Sequence, residues 1–124
     1  MSKHETWRTR QYWETIGGLL IEEFVAVKAG KGQGKRPIDG LIVLGEETRI
    51  HDGNTYDITG RDVIIIQTKS SRIGMYLLGQ AYFSKFLIEK LRPNSMKSVA
   101  ICGDDDIVIG QLAREHGVEV VVIK

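Results

Sequence analysis

The run Val63-Ile64-Ile65-Ile66 constrains the fold more than any other stretch of this chain. Four consecutive β-branched residues are stiff at χ1 and favour extended backbone. An apolar run without alternation is what a strand covered on both faces requires, and such a strand needs layers above and below it. The run then turns polar, as Gln67-Thr68-Lys69. Side chains alternate along a strand, so Gln67 and Lys69 share one face while Ile66 and Thr68 take the other. A second apolar stretch, 38–44, carries Asp39 near its start. Buried strands exclude polar side chains, so those at their ends are informative. Pairing of the two strands brings Asp39, Gln67 and Lys69 into one polar cluster.

The rest of the chain supplies the expected layers. Between 6 and 22, Trp13, Ile16 and Leu20 recur at helical steps that extend to Phe24, which predicts a helix. Gly17-Gly18 weakens it by ~1 kcal/mol per glycine, tolerable where another backbone packs closely. A short strand is expected over 24–27, then a mobile basic loop around Gly30 to Lys35. Asp52-Gly53 predicts a hairpin between 48–50 and 55–58. Ser70-Ser71 is expected to cap a helix running to about 91, with Leu77, Ala81, Ile88 and Leu91 on its core face and Arg92-Pro93-Asn94 as its stop. A strand at 98–102, a helix at 105–116 closed by Gly117, and a strand at 118–123 complete the order α-β-β-β-α-β-α-β. This is an α/β chain, a mixed central sheet flanked by helices, read as a single domain over 1–124.

Composition excludes some classes. With 42% hydrophobic and 27% charged residues the chain has an ordinary globular make-up. No apolar run approaches the ~18–20 residues that span a membrane. The polar start, Met1 to Glu5, lacks the apolar core of a signal peptide. The single cysteine, Cys102, leaves no intrachain disulfide. These features predict a cytoplasmic protein. Net charge is +1, yet Lys28, Lys31, Lys35 and Arg36 cluster while Asp104-Asp105-Asp106 makes the last third acidic. A polyanion is therefore expected at the first half, with Lys31, Lys35 and Arg36 contacting phosphates. The loop is not a Walker sequence, because Ala29 and Arg36 stand where glycine and Ser/Thr are needed.

Phosphodiester cleavage needs an attacking water and a sink for developing charge. A hard cation such as Mg²⁺ serves both needs and takes oxygen ligands. Asp39 offers an anionic oxygen, Gln67 a neutral one and Thr68 its backbone carbonyl. Lys69 can orient or deprotonate water and stabilise charge. Pro37-Ile38-Asp39 followed by Gln67-Thr68-Lys69 resembles the PD-(D/E)-x-K nuclease superfamily, with its restriction-endonuclease-like fold. In appearance it is closest to archaeal Holliday-junction resolvases and to restriction enzymes with Gln in place of the acid. The likeness covers nearly the whole chain.

The resemblance implies a DNA endonuclease dependent on Mg²⁺ (or Mn²⁺), without a small-molecule cofactor. A chain too small for a separate recognition domain suits a structure-selective enzyme. Two symmetric cuts imply a homodimer. It also implies Glu14 as the acid of the first helix, Asp39, Gln67, Thr68 and Glu14 around the metal, and Lys69 as the catalytic lysine. Glu22 and Glu23, at the expected helix–strand junction, rank lower. Tyr76 and Gln80, one turn apart on the next helix, are possible accessory residues. Two departures stand out. Gln67 removes a negative charge, which keeps open an inactive nucleic-acid-binding module of the same fold. The interval from Asp39 to Gln67 also holds an extra excursion, 45–62.

Other residues have plainer readings. Asp104, Asp105 and Asp106 suit helix capping better than metal binding. His4, His51 and His116 share no spacing and read as surface residues. Cys102 reads as packed, and Trp7 and Trp13 as core or dimer-interface residues.

Overall fold

The computed structural model describes residues 3–124, with side chains from Thr6 onward; His4 lies outside the described side chains. The elements are helix α1 (Lys3–Ile16), strands β1 (Leu19–Val27), β2 (Arg36–Val43), β3 (Arg49–Ile50) and β4 (Asp62–Thr68), helix α2 (Met75–Glu89), strand β5 (Ser95–Cys102), helix α3 (Ile107–Glu115) and strand β6 (Val118–Val122). They form an α/β fold around one six-stranded mixed sheet, ordered β3-β1-β2-β4-β5-β6. β1, β2 and β4 pair antiparallel, whereas β4, β5 and β6 run parallel through helical crossovers.

Both faces of the central strand are covered, as its β-branched run requires. Ile65 packs with Leu41, Val43 and Ile88 beneath α2. Ile64 and Ile66 pack with Ile42, Val99 and Tyr12 beneath α1. α3 lies on the same side as α2, and Ala113 joins Leu77, Leu78 and Ala81 over Ala100 and Cys102. α1 approaches the sheet closely at Gly40, where an added Cβ would stand 2.8 Å from Thr9 Cγ2. Among the described residues no helix is long and apolar enough to cross a membrane.

Several boundaries differ from expectation, each for a physical reason. α1 ends at Ile16, not near 22, because Gly17 and Gly18 adopt φ of +83° and +84°. They turn the chain so that Gly18 packs against the Val43 carbonyl, 2.7 Å from where a Cβ would sit. Leu20 and Glu22 therefore belong to β1. Asp52-Gly53 makes no hairpin. Instead, β3 pairs parallel with Leu19 and Leu20 at the outer edge of β1. His51 N–H donates to Leu20 O at 2.7 Å and Val25 N–H to Asn54 O at 2.9 Å. The 45–62 excursion thus covers a sheet edge that would otherwise template further pairing.

α2 begins at Met75 with Gly74 as its N-cap, and Ser70-Ser71 does not cap it. Residues 69–73 are held along the end of β5, through Lys69 N–H to Ile101 O, Gly103 N–H to Ser71 O and Ile73 N–H to Asp104 O. The loop expected to be mobile is the closed tip of the β1–β2 hairpin. Gly30 and Gln33 exchange backbone hydrogen bonds at 3.1 and 3.2 Å, and Gln33 Nε2 donates to Lys28 O.

Candidate functional site

The antiparallel pairing of β2 with β4 stops at Gly40 and Ile66. One residue further the strands part and side chains take over the ladder. The Thr68 N–H donates to Asp39 Oδ2 at 2.9 Å. The Asp39 N–H reaches Gln67 Oε1 at 3.5 Å, a long contact. Asp39 sits where the sheet changes phase. Leu41, Val43 and Ile38 all face α2, although simple alternation would turn Ile38 away. On β1, Ile21 and Phe24 do the same across Glu23, whose φ is +50°. Glu23 lies between the registered pairs Glu22–Gly40 and Phe24–Ile38, opposite Asp39. A residue in the left-handed region re-aims the side chains on either side of it, and non-glycine residues there cluster at functional sites.

Gln67 is 5% exposed and its amide is held. Nε2 donates to Ser84 Oγ at 2.9 Å, and that hydroxyl donates to the Gln80 carbonyl one turn back on α2. With Nε2 so engaged, Oε1 is the end turned toward β2. Thr68 N–H points toward β2, and a strand residue's N–H and C=O point to the same side, so the Thr68 carbonyl also faces the gap. Its hydroxyl faces the α1 side, buried and without a hydrogen-bond partner among the described residues. Lys69 is exposed, with Nζ 5.6 Å from the Tyr76 ring centroid, in cation–π range.

Asp39, Gln67, Ser84 and Gln80 open into a cleft of about 670 Å³ between the starting end of β2 and α2, whose lining does not include Thr68 or Lys69. Lys35, Arg36 and Asp39 form one wall, Tyr76, Gln80 and Phe83 the other, and Gln67 and Ser84 lie between. Two cations, one carboxylate and exposed aromatic rings suit an anionic ligand with flat apolar parts.

The structure therefore brings together Asp39, Gln67, Thr68, Lys35, Arg36, Tyr76 and Gln80. It does not bring Glu14 to them. Glu14 is exposed on α1, which packs on the sheet face opposite α2. Thr9 meets Gly40 beside Asp39, whereas the end of α1 beyond Glu14 leads to Gly18 beside Val43. The helix thus carries Glu14 away from the Asp39 end of β2. Lys31 sits at the exposed hairpin tip, outside the cleft lining. The sequence reading missed Ser84, whose place one turn after Gln80 was its only signal, and ranked Glu23 low by putting it at a helix end.

The remaining candidates have structural partners. Asp106 caps α3, accepting from Val108 and Ile109 N–H at 3.0 and 2.8 Å. Asp105 pairs with Arg114 at 2.6 Å, which lowers its pKa, and Asp104 with Arg72 at 3.2 Å. Cys102 is fully buried and its thiol pKa is pushed up, chiefly by that burial. Trp13 Nε1 donates to Gly18 O at 2.7 Å, and Trp7 is 40% exposed beneath the Arg8 guanidinium. Compared with protein-family models, curated proteins and solved structures, the chain matches none.

Proposed function

We propose that the chain is a metal-dependent DNA endonuclease of the restriction-endonuclease-like class, selective for DNA structure and acting as a homodimer. The observation that carries this reading is Asp39, fastened by the Thr68 N–H in the gap where β2 and β4 part, with Gln67 beside it and Lys69 next along the chain. The donor set suits a hard divalent cation: one carboxylate, one amide oxygen and one backbone carbonyl. It carries a single negative charge, so the site is a weak one. Mg²⁺ or Mn²⁺, when bound, supplies charge neutralisation at the phosphate and activation of the attacking water. Asp39 and Gln67 orient the scissile phosphate's surroundings, Lys69 offers its ammonium to developing negative charge, and Lys35 and Arg36 hold the phosphate backbone. Ser84 fixes the Gln67 amide so that its oxygen faces the site.

The test is cleavage of supercoiled plasmid and of a four-way junction with Mg²⁺ or Mn²⁺. Asp39→Asn and Lys69→Ala are expected to abolish it. Activity equal to wild type in both variants would mean a contaminating nuclease and would remove the reading.

One observation favours a second reading, a nucleic-acid-binding module without catalysis. Among the described residues no three His, Cys, Asp or Glu groups converge, and Asp39 is the acid of the cleft lining. That module would bind DNA with strong salt dependence and give no calorimetric heat with Mn²⁺. Mn²⁺ binding lost in Asp39→Ala selects the enzyme.

A further inference from the structure

One stripe of α2 is aromatic where a surface helix is normally polar. Tyr76, Gly79, Phe83 and Phe86 recur at steps of three and four, so they lie along one side of the helix. Tyr76 is 73% exposed and Phe83 64%, and the Phe83 and Phe86 ring centroids are 6.2 Å apart. Gly79 is the odd member. Glycine inside a helix weakens it relative to alanine. Nothing in the fold requires it here, since an added Cβ would meet no atom within 4 Å. Its missing side chain instead leaves an open floor between Tyr76 and Phe83, which are two turns apart, roughly 10 Å along the helix axis. Met75, Gly79 and Phe83 line both the Asp39 cleft and a smaller groove of about 290 Å³ reaching Leu112 and His116, so the stripe is their common border.

Cations stand around these rings. Lys69 Nζ lies 5.6 Å from the Tyr76 ring centroid and Lys85 Nζ 4.9 Å from that of Tyr82. Lys35 and Arg36 belong to the facing wall of the cleft. From Met75 to Ile88 the helix carries no acidic residue. A second copy of the chain would bring these cations onto one another, whereas a polyanion is drawn to them.

We propose that the stripe is a stacking platform for an unpaired nucleic-acid strand, with its phosphates on Lys35 and Arg36 and its bases on Tyr76 and Phe83. A single strand carries charge along one side and flat apolar faces along the other, which is how the two walls of the cleft are divided. A duplex does not suit this division. Its bases are stacked on one another inside the helix, so exposed rings gain nothing from it unless a base is first extruded. The cleft, at about 670 Å³, has the size of a small-molecule site and so admits a base with its sugar. Resting on the reading of the Asp39 cleft as a DNA site, this names the substrate class. The feature selected is a strand freed of its partner, as in a flap, a gap or a frayed end.

The experiment is fluorescence anisotropy of the full chain in EDTA with a labelled oligothymidylate of about 20 nucleotides, against a duplex of the same length. Wild type should bind the single strand about tenfold more tightly than the duplex. Phe83→Ala and Tyr76→Ala should each weaken single-strand binding about tenfold and leave duplex binding as it is. Gly79→Leu should raise the melting temperature, because leucine favours helix, and yet weaken single-strand binding about tenfold. A purely structural role for residue 79 would not separate the two. Ile107→Ala, on α3 and 90% exposed, is the control and should bind as wild type does. Equal affinity for the two DNAs overturns the proposal, as does single-strand binding unchanged in both Phe83→Ala and Gly79→Leu. Sedimentation in which Phe83→Ala turns a dimer into a monomer, with oligothymidylate binding unaltered, assigns the stripe to a second copy and overturns it too. EDTA keeps cleavage out of the readout. Junction cleavage without single-strand preference therefore removes this proposal alone, and single-strand preference without cleavage in Mg²⁺ removes only the endonuclease reading.

Discussion

Asp39 and Thr68 are joined where the sheet itself is not: a carboxylate on β2 accepts the backbone N–H of β4 at 2.9 Å, just past the last backbone pair. The contact gives Asp39 a structural role separable from any chemistry. Asp39→Asn keeps an acceptor oxygen and should lose less than about 1 kcal/mol of stability, whereas Asp39→Ala leaves the Thr68 N–H without its charged partner and should lose ~1.5–3 kcal/mol. Urea unfolding of both variants measures the difference. Equal losses would mean that the bond contributes nothing.

Gln67 invites the reverse substitution. Gln67→Glu restores a second negative charge next to Asp39, and the Ser84 hydroxyl can turn from the Gln80 carbonyl to donate to the new carboxylate. Mn²⁺ affinity should rise on the order of tenfold, since charge count tunes hard-cation sites. Calorimetric titration reads it, and an unchanged isotherm would mean that residue 67 does not face the cation.

Gly40 is where α1 rests on β2. Gly40→Ala places a methyl 2.8 Å from Thr9 Cγ2 in a fully buried contact and should cost about 1–3 kcal/mol. Thr9→Ser removes that methyl, so the double variant should recover most of the loss. Additive losses in thermal unfolding would place the strain elsewhere.

Tyr12 is buried beneath the sheet, and its hydroxyl has no hydrogen-bond partner among the described residues. Burial, with a smaller contribution from the charge of Glu119, pushes its pKa up to about 12. A folded value above the unfolded ~10 means stability is fully present below about pH 10 and falls as pH rises towards 12. Tyr12→Phe should flatten that slope and, by removing an unsatisfied hydroxyl, add about 1 kcal/mol at neutral pH. Urea unfolding across that pH range checks both effects.

The central strand and its polar end were legible because burial on both faces leaves a run that nothing else explains. The start of β1 was not. The step of four from Leu20 to Phe24 imitates a helix, but Leu20 packs on the α1 side and Phe24 on the α2 side, because the strand changes phase at Glu23 in the left-handed region. The 45–62 excursion was misread because Asp52-Gly53 is genuine turn chemistry, while the pairing that matters runs from Arg49 and Ile50 to a strand thirty residues away. Of the candidate site, Asp39 and Gln67 followed from strand ends. The placement of Glu14 was not legible, because how α1 lies along β2 is set by contacts such as Thr9 on Gly40, which no local pattern encodes.

Cys102 has a practical consequence. It is the chain's single cysteine, fully buried, with a pKa raised by that burial, and the thiolate is the form that alkylating reagents attack. The wild-type chain is therefore a silent background for thiol labelling. A cysteine introduced at the hairpin tip or on α2 would be the one site that takes a fluorophore or spin label, and distances across the cleft become measurable without first removing a native residue.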